Sequence, residues 1–334
     1  MRILVIDVAC EGGGALSVFN KFIDRFKADV ANEYIVCVGT LDYDDVANVK
    51  FVKIPWVKKS YLHRLFFDSC YIKKIVKKYR PEKIFSLQNK GVNVRNVQQE
   101  VFFHNALFIC EKRFSFKESK LMWLYQNVIS TFTKRSLKKV DRIFVQAEWI
   151  KINMSRKWKI NLEKIVVDAP DVNDIFKHPI NPVDTNNVSN LFFPAEFYAY
   201  KNHLTLLTVC VKLWNSGYRF TLSLTGTPEM LNGECKNIVE SEKYPIILLG
   251  KLSIEEMRNM YAKSVLVFPS YIETVGLPLI EARSMGVPII SADCEYAHES
   301  IGQYDRVAYF QPFDIEALER AIMKALCLTE SKER

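Results

Sequence analysis

The sequence predicts an α/β protein built from two doubly wound, parallel-sheet domains. Short apolar runs alternate with helical patterns along most of the 334 residues, which is the rhythm of βαβ units. At roughly 150 residues per domain, this length corresponds to about two domains. The stretch Pro170–Asn190 has three prolines and little apolar periodicity, so it is the best linker candidate. We expect an N-terminal domain over residues 1–175, a C-terminal domain over 185–320, and a tail over 321–334 that could pack back toward the first domain.

The predicted strands are short, mostly apolar runs. In the first half they are Arg2–Val8, Tyr34–Val38, Phe51–Ile54, Lys83–Leu87, Val101–Phe103 and Arg142–Gln146. In the second half they are Asn190–Pro194, Phe220–Leu224, Ile246–Leu248, Val265–Phe268 and Val287–Ser291. Ligands of such sheets bind beside the carboxyl ends of the strands. We therefore expect the active site in a central cleft that the two domains face.

Composition excludes several classes of protein. With 49% apolar and 25% charged residues and only 12 Gly and 12 Pro, the chain is neither disordered nor collagen-like. No apolar run approaches the length of a membrane span, and the N-terminus is typical of a first strand rather than of a signal peptide. The eight cysteines show no metal-ligand or disulfide spacing. These features predict a cytoplasmic protein.

Charge is distributed unevenly. Residues 1–180 contain 32 Lys and Arg against 19 Asp and Glu, whereas residues 181–334 contain 14 against 19. A basic N-terminal half suggests an anionic partner. Within it, Tyr61–Arg80 predicts either a basic amphipathic helix that contacts the inner face of an anionic plasma membrane, or an ordinary sheet-packing helix with a solvated basic face. A second basic cluster, Lys134–Arg142, favours the membrane. No nucleic-acid-binding module is present, so nucleic acid is not expected as a partner.

The segment Val265–Gly286 has the densest chemical pattern. An apolar strand ends at Pro269-Ser270, and a loop follows. Pro278 is suited to the first turn of a helix, and Gly286 to the position just after its last turn. The pattern predicts a strand, a loop and a helix, with the loop at the carboxyl end of the strand.

Two carboxylates follow that strand. Glu273 lies on the predicted loop and Glu281 on the predicted helix. Gly276 allows a sharp turn that brings backbone N–H groups toward a ligand, and a helix N-terminus binds anions such as a diphosphate. We expect Glu273 to accept hydrogen bonds from a sugar ring and Glu281 from a ribose. The alternative is that both are ordinary solvated carboxylates.

This run resembles the signature of a known enzyme family. Pro269-Ser270-x-x-Glu273-x-x-Gly276-Leu277-Pro278-x-x-Glu281-Ala282, followed by Gly286-Val287-Pro288, is similar to the Glu-x7-Glu signature of family 4 of the sequence-based glycosyltransferase classification. Further landmarks across nearly the whole chain are Gly12-Gly13-Gly14, His104-Asn105, Ala169-Pro170-Asp171-Val172, Lys201-Asn202 and Leu249-Gly250-Lys251-Leu252-Ser253. The resemblance implies a GT-B fold, in which two Rossmann-like domains face a cleft and the second mainly holds a nucleotide-sugar.

The resemblance also implies a role for each landmark. Its catalytic set is His104, Lys201 and Glu273, with His104 near the donor sugar and acceptor hydroxyl and Lys201 neutralising the leaving diphosphate. Its donor-binding set is Gly12, Gly13, Gly14, Gly226, Lys251, Leu252, Thr274, Val275, Gly276, Leu277 and Glu281. Many relatives carry an Arg about five residues ahead of the lysine, whereas Glu196 stands here. Another basic group, or Lys201 together with the helix terminus, must then neutralise the diphosphate.

We expect neither a metal nor a cofactor. Asp42-Tyr43-Asp44 has the Asp-x-Asp form of metal-dependent glycosyltransferases of the other major fold, but it lies in a polar loop without a second ligand cluster. A solvated turn is the better interpretation. Lys201 and helix amides would suffice to neutralise the diphosphate.

The resulting hypothesis is a metal-independent hexosyltransferase that transfers a sugar from a nucleotide-sugar to a glycan hydroxyl. The resemblance favours bacterial surface polysaccharide assembly, of O-antigen or capsule, on a lipid-diphosphate-linked oligosaccharide. It also implies retention of anomeric configuration. Two alternatives remain open: a nucleotide-sugar epimerase of the same architecture, and a catalytically silent sugar- or lipid-binding module.

Overall fold

Two compact units make up the chain, Met1–Ala169 and Pro170–Arg334. The computed structural model describes residues 1–179, 188–231 and 233–327, so the end of the expected tail, residues 328–334, lies outside the described residues. Residues 170–175, which the sequence prediction placed in the first domain, fall in the second unit. The reason is local packing: the ring of Phe176 meets that of Tyr261 at 5.9 Å, and Arg258 donates to the carbonyl of Ile175.

The first unit is built on a parallel sheet of seven strands, ordered β3-β2-β1-β4-β5-β6-β7. Its strands are β1 Arg2–Asp7, β2 Glu33–Val38, β3 Val49–Lys53, β4 Lys83–Ser86, β5 Gln98–Phe103, β6 Arg142–Val145 and β7 Ile165–Val167. Its helices are α1 Gly13–Ala28, α2 Tyr61–Phe66, α3 Ile72–Tyr79, α4 Lys120–Leu124, α5 Ser130–Leu137 and α6 Glu148–Trp158. Leu4, Val5 and Ile6 of β1 are fully buried, as expected for a central parallel strand covered on both faces.

The predicted helix over Tyr61–Arg80 is not regular throughout. A π-helical turn, Phe67–Tyr71, separates α2 from α3, and a second one, Tyr125–Ile129, separates α4 from α5. Such turns accommodate an extra residue and change the phase of the buried face. As a result the apolar residues of α2 and α3 do not form one continuous buried face: Leu62 and Phe66 are 75% and 52% exposed, whereas Ile72 and Ile75 are buried.

The second unit contains a parallel sheet of six strands, ordered β10-β9-β8-β11-β12-β13. Its strands are β8 Asn190–Phe193, β9 Thr221–Leu224, β10 Ile246–Leu248, β11 Val265–Phe268, β12 Ile289–Ala292 and β13 Val307–Phe310. Its helices are α7 His203–Asn215, α8 Gly233–Glu240, α9 Ile254–Ala262, α10 Leu277–Met285, α11 Glu295–Ile301 and α12 Ile315–Ala325. The predicted tail from 321 therefore begins inside α12, which is tied to α7 by the Lys212–Glu319 ion pair.

The strand order of each sheet identifies where a ligand would bind. The order reverses between β1 and β4 in the first unit and between β8 and β11 in the second. Doubly wound sheets bind ligands at the carboxyl ends of the strands at this reversal point. In the second unit, the loops that follow β8 and β11 contain Lys201 and Glu273. In the first unit, the loop after β1 leads to Gly12. Within the described residues, no helix is long and apolar enough to span a bilayer.

Candidate active site

Lys201 and Glu273 meet at the reversal point of the second sheet. The Nζ atom of Lys201 lies 2.5 Å from Oε1 of Glu273, and the two side chains are only 17% and 15% exposed. The same ammonium lies 5.8 Å from the ring centroids of Tyr200 and Phe268. Burial and the Glu273 carboxylate together raise the pKa of the Tyr200 hydroxyl. The sequence singled out both members of this pair but did not predict that they would pair with each other.

Backbone hydrogen bonds fix the two loops against each other. The N–H of Tyr271 donates to the carbonyl of Tyr200 at 3.0 Å. Asn202, in the left-handed conformation with φ 62°, donates its side-chain amide to the carbonyls of Pro269 and Pro312. These contacts hold Lys201 and Glu273 at a set separation, because each lies within two residues of an anchored position.

Gly276 begins α10, as the sequence predicted, and Gly286 ends it. Gly276 has φ 71°, and a Cβ atom there would lie 3.0 Å from the Tyr296 ring, so both conformation and space favour glycine. No side chain caps the helix; Pro278 has no N–H and that of Leu279 donates to the Gly276 carbonyl at 2.9 Å, so in the first turn Leu277 is the residue that can offer its N–H to a ligand. Thr274, Val275 and Leu277 flank Gly276, and the hydroxyl of Ser300 donates to the Val275 carbonyl.

Glu281 is held by a tyrosine that the sequence analysis missed. The hydroxyl of Tyr261, at the end of α9, donates to Oε2 of Glu281 at 2.8 Å. Tyr261 is completely buried, and its ring packs against Phe192 at 5.4 Å. Burial and the carboxylate raise the pKa of the Tyr261 hydroxyl. Tyr261 precedes Glu281 by twenty residues, and no local pattern links the two.

The turns after β9 and β10 are joined by paired hydrogen bonds. Gly226 and Gly250 each donate to the other's carbonyl, at 3.3 and 3.2 Å. A Cβ atom on Gly226, whose φ is 141°, would lie 2.7 Å from the ring of Phe197. This pairing places Lys251 and Leu252 directly after the joined turns.

Glu196, which stands where relatives carry Arg, receives a hydrogen bond from Tyr198 that raises the pKa of that tyrosine.

His104 follows β5 in the first unit, as predicted. Its backbone N–H donates to Oδ1 of Asn89 at 2.7 Å, and its Nε2 lies 3.4 Å from the Asn89 amide nitrogen. Asn89 itself has φ 65°. Burial lowers the pKa of His104 to about 4, so its imidazole is neutral at physiological pH. It can donate or accept a hydrogen bond there, but it carries no charge.

The glycine run Gly12–Gly14 forms the start of α1. Gly12 is the residue before the first turn, its φ of −177° is ordinary extended backbone, and a Cβ there would meet nothing within 4 Å. No side chain caps α1, and its first turn contains no acidic residue. Lys58 fixes the preceding loop, because its Nζ donates to the Ala9 carbonyl at 2.6 Å and pairs with Glu11 at 2.8 Å. Packing within this unit therefore does not explain a glycine at position 12.

Metal-binding residues do not assemble in the described part of the chain. No group of three or more His, Cys, Asp or Glu side chains there could hold an ion. Asp42 instead forms an ion pair with Lys53, and the ring of Tyr43 stacks on Phe51 at 5.0 Å.

Parts of the sequence are similar to known glycosyltransferases. Residues 177–334 match the model of the family described as Glycosyl transferases group 1. The chain is 23% identical over 239 residues to the O-antigen chain mannosyltransferase RfbU of Salmonella typhimurium, an alignment that covers 71% of this chain and 60% of that protein. It is 34% identical over 79 residues to the O-antigen chain mannosyltransferase B of Escherichia coli, covering 23% of this chain and 20% of that protein. The chain thus aligns with less than two thirds of the length of these relatives.

Solved structures agree on the fold. Sucrose-phosphate synthase from Thermosynechococcus elongatus is similar with a TM-score of 0.73 at 16% identity, covering 98% of this chain and 90% of that one. WaaG, a glycosyltransferase involved in lipopolysaccharide biosynthesis, gives a TM-score of 0.72 at 15% identity over the same shares. Identity this low establishes the fold alone. The chain therefore has the GT-B fold of two Rossmann-like domains, and residues 177–334 match the glycosyl transferases group 1 model.

Proposed function

We propose that this protein is a retaining, metal-independent hexosyltransferase that transfers a sugar from a nucleotide-sugar to a hydroxyl of a lipid-diphosphate-linked glycan. The observation that carries the proposal is the Lys201–Glu273 pair at the reversal point of the second sheet, where Glu273 lies on the loop that leads into the uncapped start of α10. A nucleotide-sugar presents a diphosphate and sugar hydroxyls to the protein. The cation can neutralise the diphosphate, the helix N-terminus can position it, and the carboxylate can bind the hydroxyls.

Lys201 and α10 would receive the diphosphate. Departure of the nucleoside diphosphate places negative charge on its β-phosphate, and preorganised donors stabilise that charge more in the transition state than in the ground state. In the free protein the charge of Lys201 is balanced by Glu273. Donor binding would shift the Glu273 carboxylate toward the sugar hydroxyls and leave the ammonium for the phosphate.

Glu281 would bind the ribose. Oε2 of Glu281 already accepts a hydrogen bond from the Tyr261 hydroxyl. That bond orients the whole carboxylate, including its Oε1 atom, before the nucleotide binds. Two hydroxyl groups of a ribose are suitable donors to such a carboxylate. Gly226, Lys251 and Leu252 would line the base.

In the proposed transfer, the acceptor hydroxyl attacks the anomeric carbon from the face that the diphosphate leaves. The β-phosphate oxygen takes the acceptor proton, so no carboxylate has to act as a base, and Glu273 orients the sugar without attacking carbon. Neutral His104 would hold a hydroxyl by hydrogen bonding. Gly12–Gly14 would contribute amides of α1 to the donor.

The relatives suggest which sugars to test first. Two of them are O-antigen mannosyltransferases, and a structurally similar protein, Anabaena HepE, was solved in complex with UDP-glucose. GDP-mannose and UDP-glucose are therefore the first donors to assay, and a lipid-linked O-antigen precursor is the first acceptor.

The test is consumption of nucleotide-sugar in EDTA, with and without the lipid-linked acceptor. Transfer that requires the acceptor supports the proposal. Conversion of the donor to an epimer without acceptor would identify an epimerase, and tight binding without turnover under both conditions would identify a silent binding module. The chelator tests metal independence in the same assay, because restoration of activity by Mg²⁺ or Mn²⁺ would contradict it.

A further inference from the structure

The connection from β4 to β5 leaves a groove in the first unit. Residues 87–97, all of which the structure describes, form no helix, and the space between α2 and α5 stays open. The groove has a volume of about 970 Å³, and its lining includes Leu65 of α2, Phe132 of α5 and residues 90–99. Cavities that hold small ligands measure about 300–1,000 Å³, so this groove is large enough for an extended ligand.

The floor of the groove is fixed by hydrogen bonds and packing. The N–H of Gly91 donates to Oγ of Ser136 on α5 at 3.3 Å, and the N–H of Asn93 donates to the carbonyl of Asp68 at 3.1 Å. A Cβ atom on Gly91 would lie 2.5 Å from the side chain of Val140, so the backbone is closely packed there. A groove whose shape is set in advance loses less conformational entropy when a ligand binds.

Two carboxylates line the groove, and both already serve the fold. Asp68 pairs with Lys90 and, at 3.6 Å, with Arg64. Asp141 accepts a hydrogen bond from the N–H of Gln99 at 2.7 Å. Neither carboxylate forms an ion pair with the other cations of the groove.

Those other cations are Arg95, Arg135 and Lys139. All three line the groove and are exposed. Within the described residues none of them forms a salt bridge. They give one wall and the floor of the groove a positive charge that favours an anionic ligand.

Side-chain amides are interspersed with these cations. Asn93, Asn96 and Gln98 line the groove, and all three are exposed. An amide can both donate and accept hydrogen bonds, which is what hydroxyl groups require of a partner. Phe132, 54% exposed, adds an aromatic ring against which the C–H face of a sugar can pack. Cations, amides and one aromatic ring together match a ligand that carries both carboxylates and hydroxyls.

We propose that this groove binds an acidic oligosaccharide. Its carboxylates would contact Arg95, Arg135 and Lys139, and its hydroxyls would contact the amides. The floor runs from the carboxyl end of β4 to the amino end of β5, so the groove follows the strand direction and suits several sugars in a row.

One end of the groove lies next to the candidate acceptor residue. Lys90 lines the groove and directly follows Asn89, whose Oδ1 accepts a hydrogen bond from the N–H of His104. A glycan in the groove would thus have one end near His104. That this glycan is the acceptor rests on the proposed function, whereas the binding itself does not.

Other polyanions match the groove less well. The surface of a bilayer would not fill a concave floor, and it offers few hydroxyls to the amides. A single-stranded nucleic acid stacks its bases on several aromatic rings, whereas Phe132 is the one aromatic side chain among the described residues of the lining.

The test is calorimetric titration of the full-length protein with tetragalacturonate and with tetramannuronate at low ionic strength. Arg95→Gln/Arg135→Gln/Lys139→Gln should bind the acidic oligosaccharide about 10- to 100-fold more weakly, at roughly two- to fivefold for each exposed cation. Tetragalacturonate whose carboxyl groups have been reduced to alcohols should show a similar loss with the wild type. Failure of the wild type to bind either acidic oligosaccharide would overturn the proposal.

A matched control tests whether binding follows net charge alone. Lys73→Gln/Lys74→Gln/Lys77→Gln removes the same charge from α3, whose lysines do not line the groove, and it should leave the affinity unchanged. Equal weakening in the two triple variants would contradict a specific site.

An amide variant distinguishes recognition of a sugar from recognition of charge. Asn93→Ala/Gln98→Ala should weaken tetragalacturonate binding about tenfold, as expected for the loss of two hydrogen bonds, and should leave the binding of inorganic tetraphosphate unchanged. Both replaced side chains are exposed, so the fold should be retained, with an unchanged Tm. Unchanged affinity for the oligosaccharide in this variant would refute the proposed role of the amides and with it the glycan as ligand.

Transfer assays separate this proposal from the proposed function. In an active enzyme, the groove triple variant should raise KM for an acidic acceptor but leave kcat, and KM for a neutral acceptor, unchanged. An unchanged KM for the acidic acceptor would show that the bound glycan is not the acceptor. Binding of the acidic oligosaccharide in the groove of a protein that transfers no sugar would contradict the proposed function and leave the groove's ligand as proposed.

Discussion

Replacing Lys201 by methionine should separate catalysis from stability at the candidate site. Methionine keeps most of the side-chain volume but removes the charge. If the ammonium neutralises the departing diphosphate, turnover falls by roughly 10²- to 10³-fold, the usual loss for one preorganised charge-stabilising donor. The measurement is kcat for acceptor-dependent transfer at saturating donor.

The same substitution has a cost in stability that follows from burial. Glu273 is only 15% exposed, so Lys201→Met leaves a nearly buried carboxylate without its partner. Removing one partner of a buried ion pair lowers the free energy of unfolding by about 3 to 5 kcal/mol. We expect about 3 kcal/mol here, since both side chains keep some contact with water. For a unit of this size that corresponds to a fall in Tm of about 6–12 °C.

The double variant Lys201→Met/Glu273→Gln distinguishes the two effects. It removes both charges, so most of the lost stability should return, whereas turnover should stay low. Lys236→Met is the matched control, because Lys236 pairs with Glu240 at 3.6 Å on the surface of the same unit, with the two side chains 49% and 53% exposed. An exposed pair contributes at most about 1 kcal/mol. Turnover within threefold of wild type in Lys201→Met, despite a lower Tm, would refute the catalytic role and leave a purely structural ion pair.

Four further outcomes are expected. Glu281→Gln should weaken nucleotide-sugar binding in calorimetry about tenfold or more, as expected for loss of a charge-assisted hydrogen bond, while Glu255→Gln on α9 should leave it unchanged; equal affinities would remove the ribose role. Tyr261→Phe should weaken donor binding less than Glu281→Gln and add nothing in the double variant, because Tyr261 acts by orienting the carboxylate. His104→Ala should lower kcat with less effect on donor affinity. Because the pKa of His104 is about 4, this residue should give no inflection in the pH profile of kcat between about pH 5.5 and 7.5. An inflection near pH 6.5 in the wild type that His104→Gln abolishes would show that His104 titrates there and would contradict this expectation. Burial lowers the pKa of His203 from 6.5 to about 3, so as the pH falls below 6.5 the unfolded chain binds a proton at this residue that the folded chain does not. The free energy of unfolding should therefore be about 2 kcal/mol lower near pH 5 because of this group. In urea unfolding, His203→Gln should show a correspondingly shallower pH dependence than the wild type.

Much of the fold could be predicted because parallel strands are buried on both faces and give continuous apolar runs. The run Val265–Phe268 coincides with β11, and Gly286 ends α10 as its position indicates. The strands β7 and β13 were missed. Ile165–Val167 and Val307–Phe310 are edge strands with half-exposed residues, and such runs do not differ clearly from a loop in a single sequence.

The site was less predictable because its geometry depends on distant contacts. Lys201 and Glu273 lie 72 residues apart in sequence, and only the pairing of β8 with β11 makes them neighbours. Tyr261 reaches Glu281 by way of a helix packed on the sheet, which no spacing rule encodes. The regular helix predicted over Tyr61–Arg80 failed for a different reason: apolar periodicity shows which residues could form a face but not that a π-helical turn changes its phase.

The anomeric configuration of the product tests the proposed reaction most directly. NMR on the first product formed from an α-linked nucleotide-sugar and the lipid-linked acceptor, in EDTA, reports the one-bond carbon–hydrogen coupling constant at the new anomeric centre, which differs between α- and β-glycosides of both mannose and glucose. Retention predicts an α-glycoside formed only when acceptor is present. A β-glycoside would contradict same-face attack assisted by the β-phosphate, and loss of the donor without any new glycosidic linkage would contradict glycosyl transfer itself.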